Sequence, residues 1–318
     1  MSTLSATNVL RPERRDTEAH PTIRTLFRVA AAFSLLTVAG GAVNSATGSG
    51  FACPTWPGCY AGHFGPEVEF HDLVEFTHRA IAATTGVLVL CTAIASLRLP
   101  RIERPARILP WFAVLGIIGS AVFGMLTVLQ GGIHRGLGMI DLFCALFTLV
   151  AMTLSTQSLE RGAPRWNWTP ASRLGAALVS GIVVLHELGT FLSGPSSFTV
   201  VLGWPMWRMV AIDRMPWLQV GRMILAAALL VGIARLCQIA WADARLRPVV
   251  IAVAVFTLIE QVMGQLIASN GVQMWLVSAF AASAAVLLFL VTLLTGHTAL
   301  DRRRGDLLQR HGTIDTSQ

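Results

Sequence analysis

Lysine is absent from all 318 residues, and charge of either sign is scarce: 13% of positions are charged against 54% hydrophobic. A chain this poor in charge cannot clothe an ordinary soluble domain, and a mean hydropathy of +0.63 points to lipid as its solvent. Every one of the 24 basic residues is Arg, and the net charge of +7 makes a nucleic-acid partner the first alternative to test. The distribution excludes it, because the arginines sit in short clusters between apolar runs and form no continuous basic stripe. The missing lysine fits codon bias better than chemistry. No nucleotide-binding Gly loop and no Ser-His-Asp arrangement is present. Nor does the start resemble a removable signal peptide, since Arg11, Arg14, Arg15 and Arg24 precede the first apolar run.

What is present is a series of apolar runs. Segments of roughly 20 residues, the length that crosses a bilayer's hydrocarbon core, begin near Phe27, Leu73, Ile108, Leu137, Leu174, Trp217, Val249 and Trp275. Arginines cluster after the second run (Arg98, Arg101, Arg104, Arg107), the fourth (Arg161, Arg165, Arg173), the sixth (Arg245, Arg247) and the eighth (Arg302 to Arg304). By the positive-inside rule those sides are cytoplasmic, as are both termini, and the loop from Asn44 to Asp72 is extracellular. The opposite loops carry only Arg135, Arg208 and Arg214.

A repeat relates the two halves. Gly124-Met-Leu-Thr-Val-Leu-Gln-Gly matches Gly264-Gln-Leu-Ile-Ala-Ser-Asn-Gly, and Phe76-Thr-His-Arg79 answers Gln219-Val-Gly-Arg222. The expected fold is an all-α integral membrane protein of the plasma membrane, with eight transmembrane helices arranged as two pseudo-symmetric four-helix bundles. The expected divisions are a disordered cytoplasmic head (1–22), a first half (23–160), a cytoplasmic linker (161–172), a second half (173–297) and a cytoplasmic tail (298–318).

The densest chemistry lies at the outer end of span two. Glu75 and His78 share a helical face, and Arg79 is four residues from Glu75 and can pair with it. One reading is an interfacial ion pair with His78 merely wetted. The other makes His78 an axial haem ligand beside a proton-handling Glu75. Asp141 lies about as far into span four, where a carboxylate needs a partner or a wet cavity, so it faces either the same site or Arg135. His63 and His71 flank the entrance to span two, and His71 can reach the site from above. In the outer loop, Cys53 and Cys59 stand among glycines, prolines and Trp56 on the oxidising side, which allows a structural disulfide or a redox-active pair. A metal site is the poorest fit, for want of a second cysteine pair. His186 and Glu187 in span five and Glu260 in span seven are intramembrane polar groups that serve either helix-to-helix hydrogen bonds or a cofactor or proton path.

These residues resemble the heme A synthase family. Thr47-Gly-Ser-Gly with Cys53-Pro-Thr-Trp-Pro-Gly-Cys59 is similar to that family's first outer loop, and Glu75-Phe-Thr-His78-Arg79 to its Glu-x-x-His-Arg motif. Leu126-Thr-Val-Leu with Ile133-His134 is similar to its turn into span four, and Leu188-Gly-Thr-Phe-Leu-Ser-Gly-Pro195 to the loop entry of actinobacterial members. The resemblance implies oxidation of the methyl group of heme O to the formyl group of heme A, for cytochrome oxidase assembly. Glu75 is then the catalytic residue, His78 the iron ligand, and Arg79, Asp141 and His71 line the haem. It also implies heme O synthase as a possible partner, the bilayer as surroundings and a possible homo-oligomer, with no nucleic acid.

The family pattern places a histidine at the head of each even-numbered span. Here the span-four position is Asp141, the span-six position falls on Gln219 or Gly221, and the span-eight position is Phe280, so a second-half haem b lacks a recognisable ligand. The alternatives are a non-catalytic haem-binding or oxidase-assembly homologue and, less well supported, a small-solute transporter, whose midplane helix breaks are missing.

Overall fold

The computed structural model describes residues 21–100, 104–130, 135–162, 166–192, 216–271 and 273–300, and the structural statements below concern these. The head before Pro21, the tail after Leu300, His134, and Ser193 to Pro195 of the span-five motif lie outside them.

Eight helices follow in order: α1 (Pro21–Ala46), α2 (Phe70–Ser96), α3 (Arg104–Leu129), α4 (Arg135–Arg161), α5 (Pro170–Leu192), α6 (Pro216–Trp241), α7 (Arg247–Asn270) and α8 (Met274–Ala299). All eight are long and apolar enough to cross a membrane, and no strand occurs among the described residues. Proline opens α1, α5 and α6 and is the second residue of α3 and α7, where its missing N–H costs no intrahelical bond. Gly271 stops α7 with φ at 81°, and its N–H donates to the Ile267 carbonyl at 3.0 Å.

The packing repeats. In the first half α1 lies against α2 and α4, and α3 against α2 and α4; in the second α5 lies against α6 and α8, and α7 against α8 and α6. The halves join where α1 and α4 meet α8 and α5, so α8 is the most buried helix and α3 the least. One apolar core runs through this seam, from Val38 and Ala42 of α1 through Leu146 and Leu149 of α4 to Leu185 of α5 and Phe280 and Leu288 of α8. Lipid rather than water surrounds the outer faces, so large side chains such as Leu115, Ile224, Val231 and Leu258 stand exposed there.

At the end opposite the cysteine loop, Arg161 of α4 donates to the His297 carbonyl of α8 at 3.1 Å and also meets the His297 ring. The linker follows α8, where the Asn167 N–H donates to the Ala299 carbonyl at 2.8 Å. Ser172 then donates to the Asn167 carbonyl at 2.5 Å.

Candidate functional site

The α1–α2 seam builds the first half's site. Thr37 and Thr85 hydrogen-bond at 2.7 Å, and Thr85 also reaches the Phe33 carbonyl at 3.2 Å, which draws the two helices together. Two turns outward along α2, His78 lies on the backbone of α1. A Cβ at Gly40 would stand 3.3 Å from His78 Nδ1, and one at Gly41 3.1 Å from Cε1. Glycine is what leaves the ring its place. Nδ1 is enclosed and has no hydrogen-bond partner among the described residues. Leaving a buried polar atom unsatisfied costs about 1–3 kcal/mol, so a structural histidine is expected to find a partner. The residue is only half-buried and Nε2 is not among its enclosed atoms, so the ring is held in a glycine-walled slot without being sealed in, an arrangement compatible with an axial haem ligand.

Glu75 and Arg79 are engaged elsewhere. Glu75 is 2% exposed; it pairs with the Arg79 guanidinium and accepts the Cys53 N–H at 2.8 Å. Arg79 also donates to the carbonyls of Thr55 at 2.5 Å, Gly58 at 3.0 Å and Cys53 at 2.9 Å. Cys53 and Cys59, both fully buried, are joined as a disulfide. That disulfide loop therefore folds three backbone carbonyls around the Arg79 guanidinium, whose planar array of donors suits such a cage. Through Arg79 and the Cys53 amide, the loop holds Glu75 in place.

Two further contacts fasten the loop to the start of α2. The Tyr60 hydroxyl donates to Asp72 Oδ2 at 2.5 Å, and the Glu67 N–H donates to the same oxygen at 3.3 Å. The hydrogen bond to Asp72 leads in pushing the Tyr60 hydroxyl pKa up to about 12, with desolvation and the neighbouring carboxylates adding to it. His71 is exposed and bonds Ser49 through Nδ1 at 3.0 Å, while Ser49 bonds Thr47 at 2.7 Å. His71 thus ties the loop's first turn to α2. His63 stacks on Tyr60, the ring centroids 4.9 Å apart.

Asp141 faces α3. Ser120 donates to its Oδ1 at 2.5 Å, and Oδ2 lies 3.7 Å from the Cβ position of Gly124. The structure thus brings Glu75, Arg79 and the cysteine loop together with His78 beside them, and sets Asp141 on the far helix pair. Tyr60 and Ser120 escaped the sequence reading, because a hydroxyl gives no signal until its partner is known.

In the second half the two span-six candidates face different ways. Gln219 points inward and is 1% exposed, whereas Gly221 is exposed with open space beside it. Phe280 is fully buried in the core. His186 and Arg222 are each 1% exposed, and Arg222 Nε donates to the Leu185 carbonyl at 3.2 Å. Glu260 of α7 accepts a hydrogen bond from Ser283 of α8.

No family model matches the chain. It is 35% identical over 121 residues to the heme A synthase of Shewanella oneidensis, covering 32% of this chain and 36% of that protein. It is 27% identical over 180 residues to that of Bacillus licheniformis, covering 54% and 59%. With the heme A synthase of Geobacillus kaustophilus it shares 25% over 237 residues, covering 68% and 71%. The first two matches span less than two thirds of those relatives' length. With eight helices long and apolar enough to span a membrane and several such relatives, the chain is a multi-pass membrane protein similar to heme A synthases.

Proposed function

We propose that the first half binds heme O through His78 and oxidises its methyl group to the formyl group of heme A, with water supplying the oxygen and an external electron acceptor taking the electrons. The observation that carries this reading is the His78 ring, seated on Gly40 and Gly41 with Nδ1 unpartnered. Heme O is the substrate, and its iron supplies the bond that fixes it to the protein. His78 holds the iron, Gly40 and Gly41 keep the imidazole's position open, and the disulfide loop closes the outer end.

Glu75 then acts as a fixed negative charge. Both of its oxygens already accept hydrogen bonds, from Arg79 and from the Cys53 amide. That favours electrostatic stabilisation of positive charge at the reacting carbon over direct proton abstraction. Arg79 positions Glu75 and the loop. Asp141, tied to Ser120, closes the same half from α4. The termini lie in the cytoplasm and the cysteine loop outside the cell, a reading supported by the arginine clusters on the loops of one side.

The test is co-expression with a heme O source in cells lacking their own heme A synthase, followed by chromatography of the extracted haems. Heme A should appear and fall on the order of 10²-fold in Glu75→Gln, the size of effect expected when an electrostatic stabiliser is neutralised. A second reading, a non-catalytic haem-binding homologue serving oxidase assembly, draws on Gln219 or Gly221, and Phe280, standing where the family pattern has histidines. Under it, folded protein yields heme O alone with His78 still required for haem absorbance.

A further inference from the structure

The arginine cluster between α2 and α3 takes no part in the site described above. In the sequence Arg98, Arg101, Arg104 and Arg107 are offset by a single acidic residue, Glu103, so this connection is strongly positive. It joins the two helices at the end opposite the cysteine loop. Other arginines at that end are engaged: Arg28 pairs with Glu160, Arg161 meets the His297 ring, and Arg247 lies over Trp241, 5.5 Å from the ring centroid. Arg104 and Arg107 have no carboxylate within ion-pair distance among the described residues.

A cleft lies beside these two side chains. Ser96 of α2 donates to the Arg107 carbonyl at 3.1 Å, which fixes the start of α3 against the end of α2. Next to this contact opens a volume of about 370 Å³ lined by Leu97, Arg104, Arg107, Ile108 and Trp111. On α3 the lining residues recur at three- and four-residue intervals and so form one stripe. The stripe changes character along its length. Two guanidiniums stand at its outer end, and Ile108, Trp111 and then Leu115, all exposed, carry it toward the middle of the bilayer.

That order of groups matches a phospholipid. The planar donors of guanidinium suit phosphate oxygens, an indole favours the level where headgroup meets acyl chain, and aliphatic side chains suit the chain itself. Basic pockets between helices at one membrane face are where anionic headgroups lodge. A zwitterionic headgroup would bring its own cation to two arginines, so charge complementarity selects a net negative one. We propose that this cleft holds one anionic phospholipid, its phosphate on Arg104 and Arg107 and an acyl chain along Ile108, Trp111 and Leu115. A soluble phosphate ester has no chain for the apolar part of the stripe. The proposal does not depend on haem binding.

The test is native mass spectrometry of the full-length chain in detergent, titrated with dioleoylphosphatidylglycerol. Wild type should retain one such lipid in preference to dioleoylphosphatidylcholine, and no preference would overturn the proposal. Arg104→Gln and Arg107→Gln should each weaken binding about 5-fold, and the double variant about 30-fold, the effect expected of arginines beside an anionic headgroup. Wild-type affinity in the folded double variant would overturn the assignment. Arg245→Gln/Arg247→Gln removes the same charge from another loop at that end and should leave affinity unchanged. An equal loss there would reduce the effect to general surface charge and overturn the site. Leu97→Trp fills the cleft without altering charge, at a position exposed enough to take the larger side chain, and should also displace the lipid. Binding retained in Leu97→Trp would put the lipid elsewhere. Excess glycerol 3-phosphate should not compete, and competition would make the ligand a soluble phosphate ester instead. Helical circular dichroism and the melting temperature in detergent establish that each variant is folded.

Discussion

The two halves share a helix order and a packing pattern but close their outer helix pairs differently. In the first half α3 and α4 approach until a Cβ at Gly116 would stand 2.4 Å from Thr148 Oγ1 and 2.9 Å from the Cys144 carbonyl, and one at Gly119 2.5 Å from Cys144 Sγ. The register that pairs Gly124 with Gly264 puts Phe256 and Ile259 at the matching places on α7. Two bulky side chains cannot allow that approach, so α7 stands farther from α8 than α3 does from α4. The carboxylate has changed sides as well. In α3–α4 Ser120 donates to Asp141 of the even helix, while in α7–α8 Ser283 of the even helix donates to Glu260. A repeat thus preserves an architecture while small-for-large and donor-for-acceptor exchanges reassign which helix carries the polar group.

The contrast is sharpest at the arginines that the repeat pairs, Arg79 and Arg222. Replacing Arg79 with Ala leaves a buried carboxylate and three loop carbonyls without their donor. The expected loss is about 3 kcal/mol, the lower end of what breaking one side of a buried pair costs. Thermal unfolding in detergent measures it, and a melting temperature equal to wild type would show that the cage contributes nothing to the fold.

Next in size is the helix seam. Gly116→Ala should destabilise by about 1–3 kcal/mol because its Cβ meets backbone. Gly232→Ala should cost less, because the nearest atom, 2.6 Å away, is the mobile end of Leu178. Equal costs in chemical denaturation would mean that the two seams are equally tight.

Removing one hydroxyl from either polar pair, Ser120→Ala or Ser283→Ala, should cost about 0.6 kcal/mol, the average for interhelical hydrogen bonds in membrane proteins. A double-mutant cycle with Asp141→Asn or Glu260→Gln isolates each pair, and zero coupling in one half alone would break the parallel between them.

The smallest effect belongs to Tyr60, and it depends on pH. Its folded pKa lies above the ordinary value of 10.0, at about 12, chiefly through the bond to Asp72. The contribution of that bond is therefore whole below pH 10, declines as the unfolded chain begins to ionise, and is gone once pH passes about 12. The melting temperatures of wild type and Tyr60→Phe should differ by a constant amount up to pH 10 and converge above it. A gap that stays open throughout the alkaline range would show that the hydroxyl does not act through its proton.

Much of the site was legible in the sequence. The cysteine spacing, the Glu75, His78 and Arg79 grouping and the arginine four residues from a carboxylate all carry local geometry, and the structure forms both the disulfide and the ion pair. His71 was legible as a residue near the loop but not as the partner of Ser49. Asp141 was legible as a polar group inside a span, yet its partner on α3 was not, because a helix periodicity says which residues share a face and not which helix that face meets.

Composition and periodicity by themselves determined the eight spans, since about 20 apolar residues in a row have no cheaper place than a bilayer and must bond their backbone internally. The doubling of the bundle was likewise written in the repeat. Tertiary structure alone decided what each polar group inside does: that Arg79 is caged by loop carbonyls, that His78 lies against two glycines of α1, that Gln219 and not Gly221 faces inward, and that His186 ends up beside Arg222. In a membrane the hydrophobic effect drives each helix in but does not choose its neighbours. That choice falls to small residues, close packing and hydrogen bonds between helices distant in sequence.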